Sequence, residues 1–113
     1  MPKTIKFRNE ELHLQFGRYK DTNMLALQLY DSNGFPYMTA SFNPVEVPDI
    51  SESNISYKDT NRMIVIKNWS ENEGIEKALL DNNVLEEYIS LVFTSIYVSA
   101  NAYTVNKEFL DIK

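Results

Sequence analysis

Asn68-Trp69-Ser70-Glu71-Asn72-Glu73-Gly74-Ile75 follows directly on the apolar run Met63-Ile64-Val65-Ile66, and this junction decides the fold class. Four consecutive apolar residues, apolar on both faces, suit a central strand covered on one side by a helix. Ser70 and Glu73 then stand at the spacing of a capping box, in which the serine accepts from the N–H of residue 73 and the glutamate reaches back to the N–H of residue 70. The spacing predicts a helix beginning near Glu71. Glu71, Glu73 and Glu76 favour the positive end of its dipole, Ile75, Ala78 and Leu79 supply its buried stripe, and Asp81-Asn82-Asn83 ends it. On this reading Ser70→Ala costs about 0.5–2 kcal/mol.

Upstream the chain alternates with period two, the pattern of strands with one buried face. Ile5 and Phe7 form a first pair. Leu12, Leu14 and Phe16 alternate with Glu11, His13 and Gln15, and Leu25, Leu27 and Leu29 alternate with Met24, Ala26, Gln28 and Tyr30. Leu14, Phe16, Leu27 and Leu29 therefore belong to one core, and Gln28 to a face where alanine is nearly neutral. Asp31-Ser32-Asn33-Gly34 is a turn signal joining residues 24–30 to a fourth strand at 35–43, whose Pro36 requires an edge or an unpaired position. Residues 44–61, with Pro44 and Pro48, read as an irregular surface excursion. Beyond Val84 two patterns compete. Leu85, Ile89, Val92, Phe93, Ile96 and Ala100 recur at helical spacing, yet Ile89, Val92, Thr94, Ile96, Val98, Thr104 and Val105 are β-branched. A last strand is expected within 95–106, and 84–94 is open to either reading. The fold class is α+β, an antiparallel β-sheet of five to six strands packed on one face by the helix, in a single domain over residues 1–113.

At 113 residues with 43% hydrophobic content, seven Tyr and six Phe, the chain has the apolar material to offset its conformational entropy. It has no cysteine, so thiol chemistry and thiolate metal sites are excluded, in keeping with a reducing compartment and a cytoplasmic location. No secretory leader or membrane span is expected from the sequence. Residues 1–67 hold eight Lys/Arg and eight Asp/Glu, and residues 88–113 hold two of each. The whole net charge of −5 thus falls within 69–87, where Glu71, Glu73, Glu76, Asp81, Glu86 and Glu87 face only Lys77. Direct nucleic-acid binding is not expected, because phosphate contacts need clustered basic residues.

The segment Ile64-Val65-Ile66-Lys67-Asn68-Trp69-Ser70-Glu71-Asn72-Glu73-Gly74, followed by Ala78-Leu79-Leu80 and Asn83-Val84-Leu85, resembles a family of small proteins from conjugative transposons, phages and other bacterial mobile elements, catalogued as a domain of unknown function. Phe16-Gly17-Arg18-Tyr19, Leu27-Gln28-Leu29, Gly34-Phe35-Pro36-Tyr37 and Ala40-Ser41-Phe42-Asn43 are similar to that family's pattern as well, so the resemblance covers roughly residues 5–85. Past Val84 the chain departs from it. The resemblance implies a cytoplasmic accessory protein of a mobile element and carries no catalytic residues across.

The residues themselves assign no catalytic, cofactor or metal role. Ser70 and Glu73 are accounted for by capping, and His13, the single histidine, sits on the polar side of a strand. The carboxylates at the helix start lack the spacing of a calcium loop. Three isolated glycines exclude a phosphate-cradling loop. Trp69 reads as a hydrophobic staple or as an anchor for a partner, and Ser99, Asn101 and Tyr103 share a strand face with Tyr97. The expectation is a non-enzymatic accessory or interaction protein that contacts another protein through Trp69, Glu71, Glu76, Glu86 and Glu87, with a homodimer left open. The alternative is a counter-defence inhibitor whose acidic surface binds a host nuclease or restriction component, since carboxylates steer toward a basic surface.

Overall fold

The computed structural model describes residues 3–44, 48, 50–51, 57–93 and 98–110. Alternation in the first half yields four antiparallel strands, β1 (Thr4–Phe7), β2 (Glu10–Arg18), β3 (Leu25–Tyr30) and β4 (Pro36–Thr39), ordered β1-β2-β3-β4. Ile5 pairs with Leu12, Leu14 with Leu29 and Phe16 with Leu27, so the apolar set lies on one face. The β1–β2 hairpin turns through Arg8 and Asn9, both at positive φ (53° and 64°), as a two-residue loop of this hand requires. In the β3–β4 turn Asp31 Oδ1 accepts from the N–H groups of Asn33 and Phe35, and Gly34 takes the left-handed φ of 85°. Pro36 opens the outermost strand of this sheet.

A second antiparallel sheet comprises β5 (Met63–Val65), β6 (Leu85–Phe93) and β7 (Ser99–Val105), ordered β5-β7-β6. The two sheets meet where Ser41 bridges Ile66, with Phe42 N–H donating to the Val65 carbonyl and Lys67 N–H to that of Ala40. The helix α1 (Ile75–Asp81) lies between β5 and β6 in sequence. Ile5, Leu12, Leu27 and Leu29 from the first sheet meet Ile64, Ile66 and Val105 from the second and Ile75 and Leu79 from α1 in one apolar cluster. The other face of the second sheet buries Met63, Val65, Ile89, Ala100 and Ala102 with Met24. Met63 through Ile66 is thus buried on both faces, as its composition requires, although β5 is an outer strand of its sheet and not the central one expected. No helix among the described residues is long and apolar enough to cross a membrane.

Two further expectations are corrected, and the reading left open over 84–94 is resolved for residues 85–93. The strands number seven among the described residues and divide into sheets of four and three, where five or six in one sheet were expected. Residues 85–93 are strand. Two register irregularities, between Leu85 and Tyr88 and between Tyr88 and Ser90, break the alternation, and that is why the apolar residues of β6 mimic helical spacing. The helix begins at Ile75 and not near Glu71, because Ser70–Asn72 form a 3-10 turn with Ser70 at a φ of 57° and Gly74 at 97°. Part of the excursion expected over 44–61 lies outside the described residues, as does Tyr97. Pro44 and Pro48 are buried, and residues 57–62 form a 3-10 helix.

The helix is capped by a residue other than the serine. Ser70 makes no side-chain cap bond. Asn68 Oδ1 instead accepts from the N–H of Gly74 at 3.1 Å and of Glu76 at 2.9 Å, while buried Asn72 donates to the Thr39 carbonyl and holds the 3-10 turn against β4. Asn68→Ala is expected to cost about 0.5–2 kcal/mol. Exposed Ser70→Ala should stay within about 0.5 kcal/mol of the parent. Urea midpoints for the two variants check this, and the reverse order would restore the serine cap.

Candidate functional site

β6 and β7 pair so that Tyr88 lies opposite Tyr103, Leu91 opposite Asn101, and Phe93 opposite Ser99. These six residues share the sheet face toward α1. At 1.5 Å per residue a seven-residue helix is only about 10 Å long, whereas a nine-residue strand runs about 30 Å. α1 therefore covers the end of the face at Leu85, Val105 and buried Tyr103 and leaves Tyr88, Leu91 and Phe93 exposed. Tyr88 is 49% exposed, Leu91 50% and Phe93 77%, on the outermost strand of the sheet.

Where the open face meets the start of α1 there is a cleft of about 390 Å³, lined by Ile66, Trp69, Glu76, Leu91, Ser99 and Asn101 among others. Its polar centre is Glu76. Oε2 of this carboxylate accepts from Asn101 Nδ2 at 2.9 Å and from the Tyr103 hydroxyl at 2.7 Å. Both donors are neutral, and no Lys, Arg or His among the described residues pairs with Glu76. Trp69 leans on Phe42, ring centroids 5.9 Å apart, and packs against the second apolar cluster.

Burial raises the Tyr103 hydroxyl pKa well above the ordinary tyrosine value, and the hydrogen bond and negative charge of Glu76 raise it further. Because the folded-state pKa lies above the unfolded one, the stability contributed by this group is complete below about pH 10. It is lost as pH rises from there toward the folded value. A spectrophotometric titration should show Tyr103 unionised after exposed tyrosines have ionised, a resistance absent in Tyr103→Phe. Identical curves for parent and variant would contradict the Glu76–Tyr103 contact.

Of the residues expected to meet a partner, the cleft gathers Trp69 and Glu76. The others are dispersed. Glu71 is fully exposed and pairs with Lys67 at 2.9 Å; this hydrogen bond and the lysine's charge lower its pKa. Glu86 pairs with Arg62 at 3.2 Å, and Glu87 is exposed on β6. Asp81 pairs with Lys77 at 2.7 Å. The acidic concentration along the sequence is thus partly neutralised by Lys67 and Arg62, cations outside 69–87 that counting charges along the chain misses. Among the described residues no three His, Asp or Glu side chains converge to hold a metal. His13 is half-buried between Thr4 and Tyr30 in the first sheet. Leu91 and Phe93 escaped the sequence reading because their segment was undecided, while the shared face of Ser99, Asn101 and Tyr103 was legible from alternation.

Comparison of the chain with protein-family models, with curated proteins and with solved structures yields no match.

Proposed function

We propose that this is a non-enzymatic accessory or interaction protein that binds another protein through the open face of β6 and β7. The observation that carries the reading is the row of exposed Tyr88, Leu91 and Phe93 on an outermost strand, since exposed apolar rows rimmed by polar groups mark contact surfaces. Asn101 and Ser99 form that polar border along β7. The resemblance of the Ser-Glu-Asn-Glu-Gly segment to mobile-element proteins supports a cytoplasmic partner drawn from such an element. The nuclease-inhibitor alternative rests on the acidic concentration within 69–87, and the pairing of Glu71 with Lys67 and of Glu86 with Arg62 weakens that motive.

The test is affinity capture from the source cells with the parent and with the Leu91→Ser/Phe93→Ser double variant. Both residues are exposed, so the variant should fold with an unchanged unfolding midpoint. Proteins retained by the parent and lost by the variant support the reading. An identical captured set would contradict it.

A further inference from the structure

The geometry points to the cleft at Glu76 as a receptor for a guanidinium or ammonium side chain, presented by a partner protein whose adjoining apolar residues lie on Leu91 and Phe93. This inference rests on the protein-binding reading above and names the chemistry of the partner. Glu76 is half-buried, carries a formal negative charge, and is held by two neutral donors on a single oxygen. Asn101 and Tyr103 orient the carboxylate without neutralising it, and Oε1 keeps its capacity to accept. A cation beside such a group gains more than it would in open water, because the surrounding low-dielectric walls weaken the screening. Ile66, Trp69 and Leu91 supply those walls, matching the aliphatic stem that Arg and Lys bury while their charged heads find a partner. A volume of about 390 Å³ lies within the range of small-ligand pockets, roughly 300–1,000 Å³.

Charge complementarity selects a basic partner over a second copy of this chain. Among the described residues no Lys, Arg or His lines the cleft around Glu76, so a second copy packed through the same face would bring that carboxylate no cation, whereas a basic partner supplies one. The net charge of −5 also draws a basic segment toward the surface.

The test uses the intact protein and three probes, acetyl-Phe-Arg-Phe-amide and its counterparts with lysine or with citrulline in the middle position. Trp69 is the sole tryptophan and lines the cleft, so its fluorescence and indole NMR signal report occupancy. The arginine peptide is expected to give a saturable shift, and citrulline, which keeps the shape but loses the charge, should bind at least about tenfold more weakly, as loss of a charge-assisted hydrogen bond implies. Glu76→Gln should lose a similar factor for the arginine peptide, while glutamine keeps an oxygen for Asn101 and Tyr103. Lysine binding as tightly as arginine supports a site for any cation, and weaker binding of lysine supports a guanidinium site. Equal binding of arginine and citrulline peptides overturns the inference, as does unchanged binding by Glu76→Gln or no saturable binding at all. Self-association abolished by Leu91→Ser/Phe93→Ser would give the face to a second copy and overturn it too. The protein-binding reading fails on a different result, the retention of captured partners by that double variant.

Discussion

Replacing Leu27 by alanine is expected to lower the unfolding free energy by about 2–5 kcal/mol, the largest single effect anticipated in the first sheet. Leu27 is fully buried opposite Phe16 and belongs to the cluster that joins both sheets to α1. Truncation there opens a void in that shared cluster, and a close-packed interior collapses only partly around it. Gln28, one residue along on the opposite face, provides the comparison. Its amide donates to the Met38 carbonyl at 2.8 Å and its oxygen accepts from the Thr39 hydroxyl at 2.7 Å, so it ties β3 to β4. The near-neutral outcome expected from alternation alone is therefore revised to a cost of about 0.5–1.5 kcal/mol for Gln28→Ala. Chemical denaturation of both variants checks the assignment, and equal losses would mean that the buried face has been misplaced.

The second large effect belongs to Arg62. Its guanidinium is buried at the end of the 3-10 helix before β5 and donates both to the Val105 carbonyl and to Glu86. The bond to Glu86, whose side chain is nearly half exposed, adds little on its own because solvent screens it. The bond to Val105 is different. Arg62→Met keeps an apolar stem but leaves that buried carbonyl without this donor, at a cost of about 1.5–3 kcal/mol, the range for hydrogen bonds involving a charged group. Glu86→Gln should cost much less. A thermal unfolding series on the two variants separates these contributions, and comparable losses would make the surface pair the stabilising element.

Wherever the chain alternates without interruption, the fold was legible. Leu12 through Phe16 and Leu25 through Leu29 take the faces and pairings their spacing requires. Asp31 through Gly34 forms the expected turn, and Asp81-Asn82-Asn83 ends α1. Legibility failed where a non-local contact overrode a local motif. Ser70 and Glu73 have the capping-box spacing, but Asn72 is drawn into the interior to reach Thr39. The backbone between them then folds into a tight turn, and the cap passes to Asn68, six residues ahead of Gly74. In β6, irregular pairing displaced the apolar residues from strict alternation. The candidate site was half visible. Trp69 and Glu76 stood out by type, and Ser99, Asn101 and Tyr103 by alternation, but the exposure of Leu91 and Phe93 follows from the shortness of α1, which depends on where the turn before it ends.

Amide NMR mapping of a captured partner onto the isotope-labelled protein tests the binding face most directly. The largest perturbations are expected on Leu91, Phe93, Ser99 and Asn101 together with the Trp69 indole, while the β1–β2 hairpin is unmoved. Perturbations concentrated on β1 and β2, with the β6–β7 face and Trp69 silent, would contradict the assignment of that face.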